Sequence, residues 1–171
     1  MVRRRYAAFA ILLPVFTWAC SGESVTQPTT STQTFAFAAS LSAPQVQSAG
    51  PALASTPSGA VTMTLVVATD SANDIIGARA TFAGNFVGFT ESRLTSAHVN
   101  SGAAGTIGPI VIDLGGLGAF PNDSGSMNVS ISVPTAVAAQ IIANPSGFYF
   151  EAGTAQNPVG AVRGQFVNAT P

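Results

Sequence analysis

The sequence predicts an all-β fold, an antiparallel β-sandwich or Greek-key barrel of about eight strands with one short helix near residues 134–143. Three observations predict it. From Phe35 onward apolar residues alternate with small or polar ones at period two, as in strands with one buried face. Clusters of Gly, Asn, Asp, Ser and Pro separate the alternating runs, supplying positive φ and strand stops where turns need them. A single Ala-rich segment breaks the alternation.

The elements follow in order. Phe35, Phe37, Ala39 and Leu41 share one face of a first strand, and Val61, Met63, Leu65 and Val67 one face of a second. Further β-type runs are Ile75 to Phe82, Phe86 to Phe89, Leu94 to Val99, Pro109 to Leu114, Met127 to Val133, Phe148 to Ala152 and Ala161 to Val167. The turn clusters lie at 69–74, 100–108 and 115–125. Between Pro134 and Ala143 the chain starts with Pro-Thr, runs through Ala and Ile, and stops at Asn144-Pro145. A Pro at the first turn and a Pro beyond the end bound a short helix.

Composition excludes several functions. The 171 residues hold six Arg and no Lys against seven acidic residues, and only 8% are charged. There is no basic excess to neutralise phosphates, so no nucleic-acid partner is expected. One Cys excludes an internal disulfide framework and paired-Cys zinc sites. One His leaves triad and metal-hydrolase chemistry little to draw on. The glycines at 102, 105 and 108 lack dinucleotide-loop spacing, because Ile107 stands where a Gly is needed, and no Lys follows to hold a phosphate. Ser124-Gly125-Ser126 and Ser58-Gly59 lack the flanking glycines of a nucleophile elbow. No enzyme activity and no cofactor are expected.

The first twenty residues are of a different kind. Arg3, Arg4 and Arg5 precede an apolar run from Ala7 to Phe16, which is shorter than the roughly 20 residues a membrane-spanning helix needs. A charged start, a short apolar run and a small residue before the cut read as a signal peptide over residues 1–19. With the only Cys at position 20, the segment resembles a bacterial lipoprotein signal, which implies lipidation (palmitate) at Cys20. Thr17 and Trp18 depart from that pattern, and Ala19-Cys20 fits it. An ordinary signal cut near Ala19 is the alternative. Residues 20–34, rich in Ser, Thr and Gln with Val25 as a lone aliphatic residue, form the expected tether, and its last fourteen residues reach about 45–50 Å when fully extended. The β domain then covers residues 35–168. Without residues 1–19 the balance is three Arg (Arg79, Arg93, Arg163) against seven acids, a net of −4.

Two stretches are more specific. Ala97-His98-Val99-Asn100, a Gly-rich turn and Gly108-Pro109-Ile110-Val111 resemble the first hallmark of the CHRD (chordin-type) domain, an Ala-His-Ile-His step, a Gly-rich turn and Gly-Pro-Val-Val. Asn144-Pro145, the strand Tyr149-Phe-Glu-Ala-Gly-Thr154, the turn Asn157-Pro158-Val-Gly160 and Arg163-Gly164-Gln165 resemble the second. Phe37 to Leu41 and Ser58-Gly59-Ala60 fit as well, so the resemblance covers Phe35 to Phe166. It implies an extracellular binding or regulatory module. Three positions depart from the pattern. Asn100 and Gly153 stand where that family often has His, and uncharged Gln45 or a neighbour stands where an acidic residue is common. These departures weaken any metal or proton-transfer role.

Treating Phe148 to Val167 as a hairpin centred on Asn157 puts Glu151 opposite Arg163. Tyr149, Glu151, Arg163 and Gln165 then share the face away from the core, with a direct Glu151–Arg163 ion pair fixing register. Such a pair contributes about 0.2–1 kcal/mol when exposed. Ser96, His98 and Asn100 share one face of the preceding strand. His98 is the one side chain whose ordinary titration falls near neutrality, yet a lone His more often holds a loop than a metal, which needs three or four ligands. Metal sites are therefore expected to be none, with His98 the weak candidate and Asp113 and Glu91 its conceivable helpers. The candidate polar site, structural or ligand-binding, is His98, Asn100, Glu151, Arg163 and Gln165.

The resulting reading is an exported, lipid-anchored, non-enzymatic module of the bacterial cell envelope, on the outer membrane or cell surface. Its partners would be the membrane, through the anchor, and an envelope or extracellular protein. The alternative location is periplasmic or secreted. The alternative function is a metal- or small-ligand-binding module, with or without catalysis, using the His98/Asn100 face.

Overall fold

The computed structural model describes residues 29–46, 56–89, 94–116 and 124–169. The signal, Cys20 and most of the tether lie outside them, as do Glu91 and Arg93. Among the described residues nine strands form one sheet: β1 (Ser31–Ser42), β2 (Ser58–Thr69), β3 (Ile75–Val87), β4 (Leu94–Ser101), β5 (Ile110–Gly115), β6 (Ser124–Ser132), β7 (Phe148–Thr154), β8 (Val162–Gln165) and β9 (Val167–Asn168). The sheet order is β5-β4-β7-β8-β1-β2-β3-β6, with β9 added on β1, and every pairing is antiparallel. The helix α1 (Thr135–Ala143) lies within the expected segment.

The sheet curls into a nearly closed barrel. Strands β3 and β7 are separated by three others in the ladder, yet Phe82 and Phe86 of β3 meet Phe150 of β7 at 6.4 and 6.3 Å between ring centroids. Only a sheet folded over on itself brings these rings together. Period-two burial explains which residues do so. Val61, Met63, Leu65 and Val67 are all buried, as are Phe37, Ala39 and Leu41 across the β1–β2 ladder. Ala138 and Ile141 of α1 join the same core.

Three of the differences in boundary from the sequence reading have a cause in the packing or pairing. The runs at 75–82 and 86–89 are largely one strand, β3, which continues through Ala83-Gly84-Asn85. Gly84 interrupts the apolar pattern because a Cβ there would lie 2.7 Å from Val61 Cγ2, so the gap reflects packing rather than a turn. The run at 161–167 divides into β8 and β9 at Phe166, which turns into the core and donates its N–H to Phe148 O at 3.0 Å. The strand β1 begins at Ser31, so the last four residues assigned to the tether, Ser31–Thr34, pair with Val66–Thr69. They are exposed on both faces, so backbone pairing holds them and no apolar alternation announces them.

Candidate functional site

Strand register gathers the polar residues into two rows across the outer face of the β5-β4-β7-β8 region. One row runs Asp113 (β5), His98 (β4), Glu151 (β7), Arg163 (β8), and ends at Ser42 (β1). The next contains Ile110 (β5), Asn100 (β4), Tyr149 (β7) and Gln165 (β8). The hairpin register Glu151 opposite Arg163 is the one the sequence predicts, and so is the shared face.

Over β7 and Arg163 that face is not open to solvent. The glycine-rich loop 102–109 covers the second row, and the turn 154–160 covers Glu151. All seven residues of β7 are buried, the outward-facing Tyr149 and Glu151 included. Arg163 is only 2% exposed. Its Nη1 donates to Thr106 O at 2.7 Å, its Nη2 to Ala103 O at 3.0 Å, and the guanidinium lies 3.4 Å from the centre of the Tyr149 ring. Gln165 Nε2 donates to Gly102 O at 2.6 Å and Ser146 O at 2.7 Å. Tyr149 Oη accepts from Gly108 N at 3.1 Å and Asn100 Nδ2 at 3.2 Å, and Asn100 Nδ2 also reaches Gly108 O. The motif residues therefore act as one clamp that holds the loop against the sheet. A planar guanidinium suits this place, since it presents several donors in a fork and stacks on an aromatic face.

Two glycines of the motifs are dictated by close approach. A Cβ on Gly108 would sit 1.4 Å from Ser101 O, where the loop closes back on β4. A Cβ on Gly164, between the clamp residues Arg163 and Gln165, would sit 2.3 Å from Ser40 O of β1.

The expected Glu151–Arg163 ion pair is replaced. The two residues are neighbours in register, but Arg163 spends its donors on loop carbonyls and on Gln165 Oε1, not on the carboxylate. The expectation of an exposed pair failed because sequence spacing does not show which loop folds over a face. Glu151, 7% exposed, packs beneath Gly160, where a Cβ would lie 2.5 Å from its Oε1, and near Val46. No hydrogen bond from a described residue reaches its carboxylate. Burial pushes the Glu151 carboxyl up from 4.5 to about 7, with the Arg163 charge opposing the rise.

His98 is partly exposed, its side chain at 20%. Its Nδ1 lies 3.3 Å from Asp113 Oδ1 at an angle that gives an electrostatic contact and no hydrogen bond. Asp113 itself is well exposed and accepts from Gly115 N at 2.8 Å. Among the described residues no three His, Cys, Asp or Glu side chains converge to hold a metal ion. Gly153 shows why the neighbouring position adds no ligand here. A Cβ there would come within 2.6 Å of both Pro158 O and Ser96 Oγ, so the turn has taken the space of a side chain.

The sequence reading missed Tyr149 as the pivot of the clamp. A signal was present, since Tyr149 is the only Tyr after residue 6 and lies two residues before Glu151 on the face of Arg163. The carbonyl partners at 102, 103, 106 and 146 left no signal, because backbone groups are common to all residues.

The CHRD domain family matches residues 37–166, which include both polar rows, the clamped loop and the turn over Glu151. The chain belongs to the CHRD domain family. No curated protein and no solved structure matched it. CHRD domains are typically extracellular or secreted modules, and no helix among the described residues is long and apolar enough to cross a membrane. In this CHRD domain the motif-stretch residues Asn100, Arg163 and Gln165 are bound to their own fold.

Proposed function

We propose that this CHRD domain is a non-enzymatic binding or structural module of the cell envelope, exported and held by a lipid on Cys20 with a short tether to β1. The observation that supports the non-enzymatic reading is the clamp. Arg163, Gln165, Tyr149 and Asn100 direct their polar atoms, Asn100 Oδ1 apart, to loop backbone and to one another, so that among the described residues this face presents no array of free donors and acceptors around a cavity. Catalysis instead needs groups within hydrogen-bond reach of a reacting atom. The anchor reading rests on the basic start, the short apolar run and the lone Cys20 that follows it.

Metabolic labelling with palmitate tests the anchor. Label on the wild type and none on Cys20→Ser is the expected result, and unlabelled wild type refutes the anchor. A metal retained stoichiometrically by untagged wild type and lost from His98→Ala would overturn the non-metal reading and favour a ligand-binding face at His98 and Asn100.

A further inference from the structure

We propose that β6 is a docking edge for a second copy of this chain, the two β6 strands pairing antiparallel about a two-fold axis at Asn128.

The sheet ends on β5 at one side and β6 at the other, and the two ends are built differently. Strand β5 is six residues long, its ladder with β4 shifts register twice, and Asp113 stands near its middle. Shortness, irregular pairing and a charge are devices by which an edge strand avoids pairing with another chain. Strand β6 has none of them. It runs nine residues, Ser-Gly-Ser-Met-Asn-Val-Ser-Ile-Ser, without charge or Pro, and pairs with β3 at every position without a shift.

The free hydrogen-bonding groups of β6 lie on one side. Val133 N donates to Ala78 O at 3.0 Å, and these two residues continue the β3–β6 register. In an antiparallel ladder the backbone groups of successive residues point to alternate sides. Gly125, Met127, Val129 and Ile131 therefore bond to β3. Ser124, Ser126, Asn128, Ser130 and Ser132 aim their N–H and C=O groups outward. All five are exposed, and among the described residues β6 pairs with β3 alone.

The strand has nearly the same character read from either end, and this selects a second copy as the occupant. Rotation about Asn128 sets Ser124 against Ser132, Ser126 against Ser130 and Asn128 against its own copy on the outer face. On the inner face it sets Met127 against Val129 and Gly125 against Ile131, where Val129 and Ile131 pack on the core but remain partly exposed. Polar side chains meet polar ones and apolar meet apolar, with the outward backbone groups of both strands in bonding phase. No like charges collide. Arg79, opposite Ser132, is the one charged residue in the β3–β6 ladder, and the two-fold keeps its two copies at least about 25 Å apart, the length of eight strand residues. Assembly stops at two, because the pairing consumes β6 and β5 is blunted. One strand pair buries less than the roughly 1,200 Å² of standard interfaces, so the dimer is weak and forms at high concentration. The pairing requires neither the lipid anchor nor an envelope partner.

Residue-resolved hydrogen exchange of the full chain, compared at about 10 µM and about 1 mM, spans the range in which a weak dimer changes population. The expected result is exchange about tenfold slower at the higher concentration for the amides of Ser126, Asn128 and Ser130, the factor for a chain about nine-tenths paired. The amides of Met127 and Val129, bonded to β3, are protected at both concentrations. Asn128→Lys sets two ammonium groups together on the axis. It should abolish the concentration dependence and leave Met127 and Val129 protected, which reports an intact fold. Thr64→Lys, the same charge on the exposed face of β2, should leave the dependence in place. Outward amides that stay fast in the wild type at the higher concentration overturn the proposal and leave the edge to a strand of a different protein. Slowing that persists in Asn128→Lys overturns it too. If Asn128→Lys fails to fold, Asn128→Pro takes its place, since it removes one outward N–H and no bond to β3.

Discussion

The two halves of the sheet solve the burial problem differently. Strands β1, β2 and β3 are long, twelve, twelve and thirteen residues, and pair in nearly unbroken register. Their inner faces are core, and their outer faces carry Thr, Ser, Ala and Asn toward solvent, with Thr81 and Ser130 joined across the β3–β6 ladder. Strands β5, β4, β7 and β8 are short, their ladders carry register shifts on both sides of β4, and β7 is buried on both faces. The first half is specified by alternation over most of its length. The second needs polar side chains to bind down the loops that cover it, and it contains both hallmark motifs of the family.

Three substitutions sharpen this contrast. The largest effect is expected where the halves meet. Phe150→Ala removes the ring that touches both Phe82 and Phe86, and should cost about 3–5 kcal/mol in denaturant unfolding. A cost below 1 kcal/mol would mean that the curled sheet does not close through this cluster. Next comes Arg163→Met, which keeps apolar bulk and removes the donors to Ala103 and Thr106. Hydrogen bonds from a charged group contribute about 1.5–3 kcal/mol each, and removing the buried guanidinium relieves part of that through its own desolvation cost, so a destabilisation of about 2–4 kcal/mol is expected. The loop 102–108 should lose amide protection before the rest of the domain. Unchanged loop protection would show that the clamp is not what holds it. The smallest effect belongs to the bare face. Thr64→Ala on β2, exposed and away from both clamp and core, should shift stability by no more than about 0.5 kcal/mol. A larger loss there would break the comparison, because it would mean that the outer face of the long strands is also covered.

What was legible in the sequence divides along the same line. Val61, Met63, Leu65 and Val67 announce their strand and their buried face because alternation is a local property of the chain. The hairpin register also came through, since Asn157-Pro158 marks its centre and symmetry then fixes Glu151 against Arg163. The fate of that pair did not. Whether an outward face meets water or a loop depends on contacts such as Arg163 with Thr106, 57 residues apart in sequence, made to a backbone carbonyl that no side chain advertises. The same blindness turned an expected surface ion pair into a buried clamp and a separately buried carboxyl.

The position of β1 in the sheet bears on the order in which the molecule can assemble. It is the earliest strand described and meets β2 promptly, but its other edge is filled by β8 and β9, whose residues come more than a hundred positions later. Synthesis therefore delivers the two sides of this seam at opposite ends of the time course. Until Val162 to Asn168 have emerged, the middle of the sheet lacks one neighbour and Phe166 is missing from the core. Pairing so distant in sequence is slow to form. A chain of this topology remains unfinished for most of its own production, and its central seam closes only when the last two strands arrive.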